Sequence, residues 1–281
     1  MILHIFSNLL QTQTGHTVQQ AGSDAHAMAA AEESIGEYII THISDHVLVE
    51  LPPLFGIDVS ITKHVLMMWI VAGLMILLFS VLFGKAKLVP RGLANMFEAV
   101  IVFLREDIVK VYLGHEGKRF EPYLFTVFFF ILFNNLLGLV PGGSSPTGNI
   151  SVTGGLALLT FLIGIIEGIR AHGAFGYLKG FIPPGLPLPL IPLLFVVEIM
   201  GLVTKHFALA IRLFANMTAG HVVILALFSL IFLFKSLVVA PLPVFGAVAI
   251  SLLEVLVALI QAYIFTMLSG VFIGAAIHQE H

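Results

Sequence analysis

The 281-residue chain has no cysteine, and only 10% of its residues are charged, against roughly 25% in an ordinary soluble domain. The first absence excludes disulfide frameworks, thiolate metal sites and cysteine nucleophiles. The second excludes a water-soluble enzyme of this size. With 13 Lys+Arg against 16 Asp+Glu, a net charge of −3 and no basic run, nucleic acid is excluded as a partner. The opening residues MILHIFSNLL lack the positive n-region and small-residue cleavage site expected of a signal peptide.

What fills the chain instead is apolar: 58% hydrophobic residues, 24 Phe and a mean hydropathy of +1.04. Several runs reach the roughly 20 residues that span a bilayer as a helix, so the expected class is an all-α polytopic membrane protein. Residues 11–60 are mixed and polar, with an acidic cluster at Glu32, Glu33 and Glu37, and 1–60 are read as an extramembrane arm. Residues 61–281 form the integral membrane domain. His42 and His46, four apart around Asp45, could hold a metal if helical. A solvated segment explains them as well, and no metal site or cofactor is assigned.

The first expected span, His64 to Gly84, is upright and ends at Lys85, Lys87 and Pro90. Seven basic residues lie between 85 and 119 and only Lys63 before them, which puts the N-terminus outside and this loop in the cytoplasm. Within the loop, Leu93, Met96, Phe97, Val100, Ile101, Leu104, Ile108 and Val111 recur at helical spacing, predicting an amphipathic surface helix over Gly92 to Leu113. Spans from about Tyr123 to Val140 and Asn149 to Ile169 form a membrane hairpin around PGGSSPTGN. The proline-rich PPGLPLPLIP cannot continue a helix.

From Leu193 to Ala240 no proline interrupts 48 residues, a helix about 72 Å long if continuous. That is more than twice the ~30 Å hydrocarbon thickness. Either the run folds into a hairpin without a visible turn, or it is one strongly tilted helix. After Pro241 and Pro243, Val244 to Ile277 would be a second overlong helix, about 51 Å. The expected arrangement is two long, strongly tilted antiparallel C-terminal helices.

Polar residues sit inside these runs, and a charge at the bilayer centre costs at least about 2.5 kcal/mol. Lys205 and Lys235 can snorkel. Arg212 has no such escape, since its nearest acid in sequence is Glu198. At about 100° per residue, Glu198, Gly201, Lys205, Ala208, Arg212, Ala215, Asn216 and Ala219 share one face, whose small residues admit a close neighbour. In the last helix Ser251, Glu254, Ala258, Gln261 and Ala262 share another. With Arg212 level with Gln261, His221 and Glu254 would lie at similar depth as a titratable pair. Asn134 and Asn135 could line a hydrated path or simply bond helix to helix. The two related halves of a secondary transporter and the oxyanion hole of an intramembrane hydrolase are both missing.

RLFANMTAGH, Arg212 to His221, and EVLVALIQAYIFTML, Glu254 to Leu268, resemble subunit a of the F-type ATP synthase membrane sector, as does FNNLLGLVP. The resemblance covers roughly residues 60 to 277. It implies a stator in the bacterial plasma membrane, N-terminus outside and C-terminus cytoplasmic, beside a c-subunit ring and in contact with peripheral-stalk b subunits, the remaining synthase subunits and lipid. Such a subunit binds no nucleotide and does not itself make ATP. Arg212 would be the essential arginine facing the ring carboxylates. Asn216, Gln261 and the Asn134/Asn135 region would belong to the outer proton path and Glu198 to the inner one. His221 and Glu254 match positions whose histidine and glutamate are exchanged in some members.

Overall fold

The computed structural model describes residues 45–52, 60–84, 92–140, 143, 145–182, 187–234 and 241–278. Glu32, Glu33, Glu37, His42, Lys85, Lys87, Arg91 and Lys235 lie outside the described residues. A short antiparallel pair, β1 (Val47–Val49) and β2 (Ile61–Thr62), leads into α1 (Lys63–Phe83). α2 (Leu93–Leu104) runs into a π-helix (Arg105–Leu113) and a 3₁₀ turn (Gly114–Arg119). α3 (Glu121–Gly138), α4 (Ile150–Lys179), α5 (Ile191–Phe234) and α6 (Pro241–Ile277) follow. α1, α3, α4, α5 and α6 are each long and apolar enough to cross a membrane, and the chain is an all-α, multi-pass membrane protein.

The chain divides into two compact units. The described part of the smaller is residues 221–234 and 241–249, where Leu227 of α5 approaches Gly246 of α6. The larger holds the rest, residues 45–220 and 250–278.

α1 is capped from two sides. Thr62 Oγ1 accepts from the Val65 N–H at 3.4 Å, and Asp45 Oδ1 accepts from the His64 N–H at 3.2 Å while lying 3.0 Å from His64 Nδ1. Burial works to raise the Asp45 carboxyl, but the bonds from Thr62 and His64 and the His64 charge outweigh it and hold the group below its usual value. Beyond this cap only His64 and Val71 of α1 are buried, as expected of a span that turns most of its surface to lipid.

α3 is the central helix of the larger unit, with Leu124, Val127, Phe128, Phe129, Ile131, Leu132, Asn134 and Asn135 all buried. Around Phe129 the rings of Phe79, Phe97, Phe128 and Phe133 stand 5.0 to 6.1 Å away, separations at which edge and offset contacts are favourable. Its N-terminus is fixed by Arg105, whose Nε and Nη2 donate to the two Glu121 carboxylate oxygens at 2.9 Å each. That carboxylate pushes the Arg105 guanidinium higher still, against a smaller opposing effect of burial. Glu167 of α4 accepts ion pairs from both Arg119 and Arg170.

The helix expected over Gly92 to Leu113 changes type halfway. Of its apolar stripe Phe97, Leu104 and Ile108 are buried within the protein, and the π-helix, bonded i→i+5, needs more residues per turn. Val109 and Leu113 therefore take the inner positions, and Val111 is 64% exposed. α4 continues past Ile169 to Lys179 with a kink at Gly173, φ 74°. As far as Phe234 the proline-free run lies in one helix, Ile191–Phe234, and not in a hairpin. α6 starts at Pro241 and not Val244, because proline fits a helix's first turn, where its missing N–H goes unused.

α6 docks on the π-helix through Gly270 and Gly274, a small-xxx-small pair. A Cβ on Gly270 would come within 2.9 Å of Ile108 Cγ2, and one on Gly274 would overlap the Tyr112 carbonyl. Because that obstacle is backbone, Gly274→Val should destabilise the detergent-solubilised protein by about 1–3 kcal/mol. Gly155→Ala, which meets open space, should be neutral or slightly stabilising. Thermal unfolding of both variants checks this; equal melting temperatures would contradict it.

Candidate functional site

On α5, Leu209, Leu213 and Met217 point into the core, with Leu209 and Leu213 at 0% exposure. Their burial fixes the rotation of the helix and turns the opposite positions outward. Glu198, Lys205, Ala208, Arg212, Ala215, Asn216 and Ala219 are all exposed, and Gly201 is half-buried. The face expected from helical spacing is thus the face this chain leaves open. Among the described residues no carboxylate lies within 4 Å of Arg212. Glu198 shares the face about 21 Å away along the axis.

Along the edge of that face, contacts with α6 run antiparallel. The His206 ring stands 4.6 Å from that of Phe272, Asn216 Nδ2 donates to Gln261 Oε1 at 2.9 Å, and the Glu254 carboxylate lies against Gly220. Gln261 thus bonds to Asn216, one turn along α5 from Arg212. The reason is chemical. The Gln261 side chain is buried at 3% exposure and needs a hydrogen-bond partner there, which the Asn216 amide supplies. His221, half-buried, belongs to the smaller unit.

The other end of this polar seam is built by α3 and the turn after it. Asn135 Oδ1 accepts from Thr147 Oγ1 at 2.5 Å, and Thr147 Oγ1 is 2.7 Å from Ser145 Oγ. The Gly148 carbonyl in the same turn accepts from Thr218 Oγ1 at 3.5 Å. Asn134 Nδ2 donates to the Phe130 carbonyl at 2.7 Å. Asn135 is therefore used in holding the turn, whereas Asn134 Oδ1, and Gln261 Nε2 across the seam, are buried without a hydrogen-bond partner among the described residues. Sequence reasoning missed Ser145, Thr147, Thr218 and Gly220. The uncharged loop carried a weak signal for the first two, and only a close-approach argument could have singled out Gly220.

The seam contains amides, hydroxyls and a carboxylate, groups that bind water and pass protons. Among the described residues no three of His, Asp and Glu stand together as metal ligands. Tyr263, two residues past Gln261, donates to Asp107 and ties α6 to the π-helix.

Residues 65–274 match the family described as ATP synthase A chain. ATP synthase subunit a of Chloroherpeton thalassium is 49% identical over 232 residues, covering 80% of this chain and 69% of that protein. ATP synthase subunit a 2 of Chlorobium luteolum is 46% identical over 283 residues, covering 94% and 82%. ATP synthase subunit a of Myxococcus xanthus is 48% identical over 241 residues, covering 83% and 78%.

Gly220 leaves the space that the Glu254 carboxylate occupies. A methyl there would displace only the end of a flexible side chain, so Gly220→Ala should fold with nearly unchanged thermal stability. It should also push Glu254 out of the seam and make it label faster with a water-soluble carbodiimide, mapped by mass spectrometry. Unchanged labelling would show that the carboxylate does not depend on this gap.

Proposed function

Because this chain belongs to the ATP synthase A chain family, we propose that it is the stator subunit that passes protons to and from a rotating ring of c subunits. In this reading Arg212 is the fixed charge between two half-channels. The observation that carries it is the open face of α5: a permanently charged group among small residues, exposed and with no carboxylate within 4 Å among the described residues.

A ring carboxylate arriving opposite Arg212 has its charged form stabilised; its pKa falls and its proton leaves towards the inner side, along the face that carries Glu198. Reprotonation comes from the outer side through Glu254 and His221, by way of Asn216, Gln261 and Asn134. Asn134 Oδ1 and Gln261 Nε2 are the spare acceptor and donor that a chain of water molecules would bind. Asn135, held by Thr147, shapes this path from its wall. Histidine suits the relay because it titrates near neutrality. Arginine suits the barrier because it keeps its proton throughout and so blocks direct leakage. Each charge crossing 100 mV supplies about 2.3 kcal/mol, which the ring converts to rotation.

The long helices fit the same reading. α5 and α6 are about 66 and 56 Å long against ~30 Å of hydrocarbon, so both incline strongly, following the curve of a ring. The N-terminus lies outside and the C-terminus in the cytoplasm of a bacterial inner membrane. The basic excess over residues 85–119 supports this, together with the ion pairs of Arg105, Arg119 and Arg170 in and after that loop. Peripheral-stalk b subunits and the remaining synthase subunits complete the assembly, and ATP forms elsewhere in it.

Arg212→Ala should abolish proton-driven ATP synthesis in reconstituted vesicles while the complex still assembles, and should open a passive proton leak. Arg212→Lys should fail as well, since a desolvated lysine sheds its proton and lacks the planar fork. Near-normal synthesis by the alanine variant would overturn the reading. For orientation, the cysteine-free chain permits single-site labelling. A cysteine replacing the exposed Glu116 should react with an impermeant maleimide in inverted vesicles but not in intact cells; the reverse pattern would place the loop outside.

A further inference from the structure

Where the π-helix, the 3₁₀ turn and the start of α3 meet, Arg105, Lys110, His115, Lys118 and Glu121 line a cavity of about 660 Å³. Its cations are unequally engaged. Arg105 gives its bidentate pair to Glu121, and Lys110 holds Glu106 at 2.6 Å in an exposed pair of the kind that contributes little. Lys118 and His115, both exposed, have no carboxylate within 4 Å among the described residues. The wall thus offers more positive charge than its one acid neutralises. Ammonium groups are point donors suited to the oxygens of a phosphate.

A second cavity of about 400 Å³ shares Gly114 with the first and is lined mainly by Val111, Tyr112, Val271 and Ala275. Val111, 64% exposed because the π-helix turns it outward, stands at its edge. A basic cavity and a largely apolar one therefore adjoin across a residue with no side chain, in a protein whose neighbouring helices cross a bilayer. We propose that this pair of cavities is a binding site for an anionic phospholipid, its phosphate among Lys110, His115 and Lys118 and the root of an acyl chain against Val111 and Val271. The apolar half favours a lipid over free phosphate or an acidic peptide, because neither of those would use it. The site is separate from the Arg212 face and does not depend on what runs along that face.

The test uses the intact complex in phosphatidylcholine vesicles containing a photoreactive phosphatidylglycerol, with cross-linked peptides mapped by mass spectrometry. Cross-links should fall within residues 105–121 and 271–278. A Lys110→Gln, Lys118→Gln double variant should lose them by roughly fivefold per removed charge, with thermal stability unchanged. Photoreactive phosphatidylcholine should not label these peptides, and millimolar inorganic phosphate should not displace the anionic probe. Equal labelling in the double variant, or equal labelling by phosphatidylcholine, would overturn the proposal. Displacement by phosphate would make it a phosphate site, and loss of another subunit from the variant complex would make it a protein contact; either would overturn the lipid assignment.

Discussion

A guanidinium keeps its proton in any protein environment, and a charge at the middle of a bilayer costs at least about 2.5 kcal/mol unless something answers it. Arg212 lies within a helix long and apolar enough to cross a membrane, and its orientation is set by its neighbours. Leu209 and Leu213, fully buried, fix the rotation of α5, and the helix then has no choice but to present Arg212 outward among Ala208, Ala215 and Ala219. Among the described residues the chain supplies no carboxylate to it, which leaves that face open to a compensating charge from a partner. A partner approaching closely over small residues and carrying acids at the right depth meets that requirement. A rotating ring of carboxylates meets it repeatedly.

Behind Arg212 the protein handles its other polar groups differently. Asn216 and Gln261 bond to each other, Asn135 is anchored through Thr147, and Gly220 opens the space into which Glu254 fits. These contacts pin α5 against α6 and against the turn after α3, so the seam is rigid where it carries structure. Asn134 Oδ1 and Gln261 Nε2 are among the buried atoms left without a hydrogen-bond partner among the described residues. Gly270 and Gly274 act at a distance from this seam, seating α6 on the backbone of the π-helix and so setting where Gln261 and Glu254 lie.

Much of this was legible in the sequence because helical periodicity and the cost of intramembrane charge are local rules. The five spans, the single long helix as one of two alternatives, and the face containing Arg212 followed from them. What escaped was set by tertiary fit. The change from α- to π-helix at Arg105 has no composition signal. The bond between Asn216 and Gln261 escaped as well, because spacing along one helix cannot say which residue of another it meets. The short pairing of Val47–Val49 with Ile61–Thr62 joins segments too brief to show alternation. Asn134 and Asn135 were indistinguishable as neighbours in sequence, and only their partners separate them.

The central claim, that the open face of α5 runs against the rotor, is tested most directly by disulfide cross-linking in this naturally cysteine-free chain. Single cysteines replacing Ala208 or Ala215 would be paired with a cysteine next to the carboxylate on the c subunit, in membranes holding the assembled complex. The account predicts rapid cross-linking from both positions and none from the buried Leu209 or Leu213. Cross-linking absent from Ala208 and Ala215, or equally strong from the buried positions, would contradict it.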